Sequence, residues 1–435
     1  MRMIELGVDP KILAVAIFAI TYGLIMSNKI DRTIAALAGA VMLYLFGVLK
    51  GEQILEKINW EALGLIFGMF VLVGALRESG FFRWIGLKTL KAAKFNVIRI
   101  FLLFSILAVF LSAFMDSITV LLFMSSLTIE VCAMMGINPI AFIVSEICSA
   151  NIGGSATMIG DPPNIIIGTG CGLSFTDFVL NTGLVAVAVF AVNLVFFYFW
   201  YKKELKSAKV KDVKELEKLN PDDAIKDLHL MKAGLAAFAV AVALLVMHST
   251  LHIPIAFIGL FGASIILITG GRKMPEVIEK LDWLTLIFFA CLFIVVGGLE
   301  ETGVLAMVAS YMAKMGGGPV VIIMLLLWAS AFISAFVDNV PFAATMVPII
   351  KDLAANPALG LPLPTMSWAL ALGTDIGGNA TPIGASANVV GLAVAEKSGF
   401  RVSWGYYCKV GFASMAVAIA VCALVVWLRY FVLRF

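Results

Sequence analysis

Two carboxylates and two glycine-rich blocks recur at matching places in this 435-residue chain. Asp116 follows Ser112-Ala113-Phe114-Met115, and Asp338 follows Ser334-Ala335-Phe336-Val337. Asn151-Ile152-Gly153-Gly154-Ser155-Ala156-Thr157 is matched by Asp375-Ile376-Gly377-Gly378-Asn379-Ala380-Thr381, with Asn164 and Asn388 at the same distance beyond. The copies lie 222 to 224 residues apart, about half the chain. A helix that breaks at such glycines exposes backbone carbonyls on one side and amide N–H groups on the other. Ser155, Thr157, Asn379 and Thr381 add neutral oxygens of the kind a hard cation such as Na⁺ takes, while half-helix N-termini suit an anion or polar solute. One glycine pair alone reads as close helix packing; two copies favour a break.

Asp116 and Asp338, followed by Ser117 and Asn339, sit in otherwise apolar runs. An ionised Asp at the centre of a membrane helix costs roughly 2.5–3.5 kcal/mol. A bound cation, a proton or a polar cavity then has to compensate, unless each Asp caps a hairpin turn. Asp161 stands opposite Ala385, and Asp375 opposite Asn151, so both break the internal symmetry and are candidates for a proton or substrate. Glu146, opposite Leu370, is a third. A coupling Na⁺ is expected at Asp116, Asn151, Asp338 or Asp375. Glu130 is expected to snorkel near the end of its helix. Cys148 reads as a small apolar filler, with contact to a thiophilic substrate as the alternative.

The elements that hold these residues are apolar and long. Hydrophobic residues make up 62% and charged residues 14% of the chain, and the mean hydropathy is +1.04. A soluble protein of this size needs a more charged surface. Apolar stretches of lipid-crossing length recur instead. The first half reads as Ile12–Met26, Thr33–Leu49, Trp60–Leu76, a basic amphipathic stretch from Phe81 to Phe95, two arms meeting at Asp116, a gapped helix from Pro139 to Gly168, and Thr182–Trp200. The second half repeats that order from Met231 to Tyr430. If each arm crosses, every half has seven crossings; if the pair is a re-entrant hairpin, every half has five. Both numbers are odd, so the halves are inverted. The hairpin is favoured because the carboxylate at its turn then stops inside protein.

The expected fold is therefore an all-α polytopic membrane protein, an inverted repeat of five transmembrane helices plus one re-entrant hairpin each, with two unwound helices at the midplane. Residues 1–201 form the first repeat, 202–230 a cytoplasmic linker and 231–435 the second. With the N-terminus outside, the cytoplasmic stretches collect most of the 31 Lys and Arg residues, including Arg32, Arg77, Lys280 and nine lysines between Lys202 and Lys232. That bias fits the positive-inside rule and places the protein in the cell membrane. No cleavable signal peptide is expected.

The six cysteines show no metal or disulfide spacing. No phosphate-binding loop, HExxH or GxSxG pattern occurs, so neither an enzyme nor ATP-driven transport by this chain alone is supported; a separate ATPase subunit stays open. No cofactor is expected beyond H⁺ or Na⁺ as coupling ion, and no nucleic-acid partner.

At these residues the chain resembles the ion transporter superfamily that includes arsenite/antimonite permeases, NhaD-type sodium/proton antiporters, the P protein and citrate or dicarboxylate symporters. The segment from Asn151 to Asn164, ending Gly160-Asp161-Pro162-Pro163-Asn164, carries the likeness most specifically. The resemblance implies a scaffold, a moving transport domain and a homodimer. Dicarboxylate symporters of that group carry Ser-Asn-Thr at both hairpin tips. Asp116-Ser117-Ile118 and Asp338-Asn339-Val340 depart from it, and Trp404-Gly405-Tyr406-Tyr407 resembles arsenite permeases. The expectation is a secondary-active carrier of a small inorganic ion or oxyanion, of the arsenite efflux type. A Na⁺/H⁺ antiporter and a carboxylate symporter follow, and a channel is the competing class.

Overall fold

The computed structural model describes residues 7–27, 29–208, 217–314 and 316–433. Helices dominate throughout, and no strand occurs among the described residues. Nine principal helices in the first half are answered by nine in the second. The first set is α1 (Pro10–Ser27), α2 (Arg32–Leu45), α3 (Trp60–Ser79), α4 (Phe81–Ala92), α5 (Val97–Ser112), α6 (Ser117–Met135), α7 (Ile140–Gly154), α8 (Pro162–Cys171) and α9 (Phe175–Trp200). The second is α10 (Leu228–Leu251), α11 (Ile255–Thr269), α12 (Trp283–Glu301), α13 (Val304–Lys314), α14 (Gly318–Ser334), α15 (Asn339–Ala354), α16 (Leu363–Gly377), α17 (Ser386–Lys397) and α18 (Trp404–Val432).

Local sequence sets the starts and stops. Asn59 caps α3 and Asp282 caps α12 at equivalent places, each accepting from a backbone N–H in the first turn. The stretch expected to span from Thr33 to Leu49 is shorter as a helix. It stops at Leu45 because Gly47 turns the chain with φ +84°. Residues 209–216 of the expected 202–230 connector, with three of its lysines, lie outside the described residues.

Helix contacts repeat as well as helix order. α3 packs on α11 as α12 packs on α2; α5 on α7 as α14 on α16; α6 on α17 as α15 on α8. α9 and α18 pack on each other. Gly68 and Gly259 bring the backbones of α3 and α11 together, since a Cβ on Gly68 falls 2.1 Å from the Gly259 carbonyl carbon. Among the described residues, seven helices are long and apolar enough to cross a membrane: α1, α3, α6, α9, α10, α12 and α18. Many apolar side chains point outward, including Ile12, Val187, Phe257 and Ile268. An aqueous surface does not carry so many.

Candidate functional site

Each pair of arms turns at its aspartate. The Asp116 carboxylate accepts from Thr119 N at 2.9 Å, and that of Asp338 from Val340 N at 3.1 Å. Both therefore cap the second arm, the alternative weighed from sequence, while remaining partly exposed. Thr157 Oγ1 donates to the Ala113 carbonyl and Thr381 Oγ1 to that of Ala335, tying each broken helix to its own tip.

The glycine pairs do not themselves form the gaps. Gly153 and Gly154 are the last residues of α7, and Gly377 the last of α16; the gaps lie just beyond, before α8 and α17. A Cβ on Gly153 falls 2.3 Å from the Val109 carbonyl oxygen, and one on Gly377 2.4 Å from that of Ala331. These glycines let the broken helix lie backbone to backbone on the first arm. The break follows from the chain turning back at Gly160 and Gly384, where a Cβ would meet the Gly154 and Gly378 carbonyls at 2.4 and 2.6 Å.

Asparagines close each gap. Asn164 Nδ2 donates to the Gly154 and Thr157 carbonyls at 2.8 and 3.1 Å; Asn388 Nδ2 donates to those of Gly378 and Thr381 at 2.6 and 2.8 Å. The carbonyls that a broken helix orphans are thus partly satisfied by the protein itself. The two gaps are then joined. Asn151 Nδ2 donates to Asn379 Oδ1 and Asn388 Oδ1, each at 2.9 Å. Ser155 turns back on its own helix, donating to the Ile152 carbonyl at 2.7 Å.

Asp161 joins both tips. Its Oδ1 accepts from Ser117 Oγ at 2.9 Å and its Oδ2 from Asn339 Nδ2 at 3.0 Å. It stands at the N-terminus of α8, where the helix dipole favours a negative charge. Asp375 is buried within electrostatic reach of Asp161, with Asn164 and Asn339 in its surroundings. Both Asp375 oxygens are buried without a hydrogen bond, as are Asn151 Oδ1, Asn164 Oδ1 and Asn379 Nδ2. Among the described residues no Lys, Arg or His pairs with either carboxylate. Two neighbouring carboxylates out of water cannot both stay bare and charged.

A cavity of about 230 Å³ is lined by Asp116, Ser117, Asp161 and Asn339, with Asp375 outside its lining. Arg32, Arg77, Lys280 and Asp282 also line it. Arg32 Nη1 lies 3.2 Å from Asp338 Oδ2 and 2.7 Å from Ser386 Oγ, and Nη2 donates to Thr285 at 3.2 Å. A guanidinium thus already neutralises Asp338, which weakens it as a Na⁺ ligand. Tyr22 ties α1 to the second hairpin, donating to the Pro341 carbonyl at 2.7 Å and meeting Thr345 Oγ1 at 2.8 Å.

Sequence reasoning did not select Arg32, Thr285, Ser386 or Tyr22 for the site. The available signal was broken symmetry: Arg32 opens α2 where Ile255 opens α11, and Ser386 stands opposite Pro162. Cys148 is fully buried and absent from the cavity lining. Glu130 lies toward the end of α6, outside the cavity lining, paired with Arg83 at 2.6 Å. Glu146 is buried on α7, bonded to Thr128.

Comparison with known proteins gives this arrangement a family. The profile of the citrate transporter family, CitMHS, matches residues 22–373. An uncharacterized transporter of Mycobacterium tuberculosis is 37% identical over 428 residues, covering 97% of this chain and 99% of the relative. Human P protein is 29% identical over 495 residues, covering 94% of this chain and 59% of that longer protein. The crystal structure of the YdaH transporter of Alcanivorax borkumensis, described as having an unusual topology, matches with a TM-score of 0.61 over 97% of this chain and 98% of its own. At 14% identity that likeness speaks to the fold. The chain is a multi-pass membrane transporter rather than an enzyme, and it belongs to the citrate transporter family.

Proposed function

We propose that this protein is a secondary-active carrier that binds H⁺ or Na⁺ at Asp161–Asp375 and its cargo in the cavity between the hairpin tips. One observation carries the reading: two buried carboxylates, one from each half, lie close enough for their charges to repel, neither is paired with Lys, Arg or His among the described residues, and one of them holds both tips. Asp161 has donors on both oxygens and sits at a helix N-terminus, so it is the ionised partner. Asp375 has no donor on either oxygen and takes the proton or Na⁺. Asn164, within reach of Asp375, and Asn151 carry unpaired amide oxygens in the same buried region.

In this reading the chain has ten crossings and two re-entrant hairpins, with the N-terminus outside and the halves inverted. Arg77 and Lys280 lie on the cytoplasmic side, so the cavity faces the cytoplasm. Helices α1–α3 and α10–α12 form the scaffold; the hairpins and broken helices move against it. Arg32–Asp338 and Tyr22–Pro341 bridge the two units and break when they slide.

For the cargo, the motif from Asn151 to Asn164 and the tip residues support arsenite or antimonite leaving the cell. Na⁺/H⁺ exchange is the second reading, favoured by the carboxylate pair, which needs no further cargo. A carboxylate cargo, as the family's name suggests, would draw on Arg32, Arg77 and Lys280. Purified protein in proteoliposomes separates the three. Arsenite accumulation driven by a pH or Na⁺ gradient supports the first. Na⁺-driven proton flux without arsenite supports the second, and gradient-driven citrate uptake the third. Flux of none of them under either gradient overturns the proposal.

A further inference from the structure

A third carboxyl group lies outside the central site. Glu146, in the middle of α7, is 1% exposed. Its Oε1 lies 2.5 Å from Thr128 Oγ1 on α6, and its Oε2 is buried with no hydrogen-bond partner. Ser125 Oγ, one turn from Thr128 on the same helix, is also bare. The third wall is Gly391 of α17, where a Cβ would sit 3.0 Å from Ile147 and 3.4 Å from Ser125 Oγ.

The repeat supplies an internal control. In the other half α15 packs on α16 as α6 packs on α7. The positions equivalent to Ser125, Thr128 and Glu146 there are Val347, Ile350 and Leu370, all buried. The same helix junction therefore closes with apolar side chains alone. Packing does not call for a carboxyl group, and burying one without a counter-charge works against folding.

The surroundings decide its charge state. Among the described residues, Cys132 on α6, one turn beyond Thr128, is an ionisable group within electrostatic reach of Glu146. Glu130 on α6 turns outward to Arg83, Asp375 on α16 belongs to the central pair, and Tyr407 on α18 faces Cys148. No ion pair reaches Glu146 among the described residues. In a water-free interior that leaves the neutral acid. A second cavity lies one turn away: Phe142, on the same face of α7, lines a space of about 320 Å³ together with Asn138 and Glu204.

We propose that Glu146 is a proton-carrying site inside the hairpin unit, separate from Asp161–Asp375, which exchanges its proton with the cytoplasmic side through the cavity beneath Phe142. The step is a proton transfer alone. A hydronium ion in the cavity gives its proton to the carboxylate and leaves as water; the reverse step frees the site. The proposal rests on reading the chain as an alternating-access carrier, in which a group inside the moving unit meets each side in turn.

Infrared difference spectra of the full-length protein in lipid, without cargo, test it. They would be taken from about pH 5 to about pH 9, the span over which buried carboxylic acids titrate. Wild type should show a carboxylic-acid carbonyl band that fades as pH rises. Glu146→Gln, which keeps the size of the neutral acid, should lose that band; Asp375→Asn should keep it. Thr128→Ile combined with Glu146→Leu installs the other half's pair and should fold without the band. A Glu146→Gln spectrum identical to wild type overturns the proposal, as does a Glu146 band constant across the whole range. If Asp375→Asn alone removes a titrating band, the central pair stands and this inference falls.

Discussion

Asp161→Asn tests the tie between the two hairpin tips. The carboxylate accepts from Ser117 of the first tip and from Asn339 of the second. An Asn keeps one acceptor and turns an N–H toward one of these donors. One charge-assisted bond is lost, worth about 1.5–3 kcal/mol. At that cost the opening of at least one tip rises roughly 10- to 150-fold. Hydrogen exchange read by mass spectrometry on the protein in lipid measures it directly, in peptides covering residues 113–120 and 335–342. Ser117→Ala should loosen the first tip alone and Asn339→Ala the second alone. Asp161→Ala, which installs the residue found opposite at Ala385, should loosen both. If Asp161→Ala leaves exchange at both tips within about twofold of wild type, a change too small to register a lost buried bond, Asp161 does not hold them.

Three further perturbations probe the frame around that tie. Gly153→Ala and Gly377→Ala each push a methyl group onto an arm carbonyl less than 2.5 Å away, so each should cost about 1–3 kcal/mol in thermal unfolding. Gly405→Ala, with nothing within 4 Å, should cost little; equal losses at all three positions would refute the packing argument. A double-mutant cycle on Arg32→Ala and Asp338→Ala should give a coupling of about 1 kcal/mol that shrinks in high salt. Tyr22→Phe should cost about 1 kcal/mol through its lost bonds to the second hairpin; a zero coupling together with a silent Tyr22→Phe would remove this bridge. At the connector, the Leu230 N–H and then Lys273 Nζ, 2.6 Å away, hold the Asp227 carboxyl below the ordinary carboxylate range. A lowered value stabilises the fold above that range, and the gain is lost as pH falls through it. Asp227→Asn should therefore be about 1 kcal/mol less stable at neutral pH and match wild type in acid; a gap that persists in acid would contradict this.

Much of the frame was legible before any coordinates. The repeat could be read because Asp116 and Asp338, and the two Gly-Gly blocks, keep their spacing. The turns fell at those aspartates, and the gapped helices broke close to the glycines. The break itself was displaced because glycine serves two ends, and only a neighbouring backbone, such as Val109 against Gly153, tells close approach from a gap. The asparagines stood out by their spacing, and the structure adds that the side-chain amide N–H groups of Asn164 and Asn388 go to the chain's own carbonyls. No local pattern shows where a side chain two hundred residues away will point. Arg32 illustrates the limit. It read as a cytoplasmic charge that sets orientation, while its partner Asp338 lies 306 residues away. Asp161 was picked out because it breaks the symmetry, but its grip on both tips needed the tertiary structure.

The account turns on Asp375 as the group that takes up the coupling ion, and gradient-driven flux tests it most directly. Wild type and Asp375→Asn would be reconstituted side by side and offered whichever of arsenite, Na⁺ or citrate the wild type moves, under imposed pH and Na⁺ gradients. The expected result is that wild type concentrates the cargo, or exchanges Na⁺ for H⁺, while Asp375→Asn at most lets cargo equilibrate without answering to either gradient. A variant that still concentrates cargo as steeply as wild type would contradict the central claim.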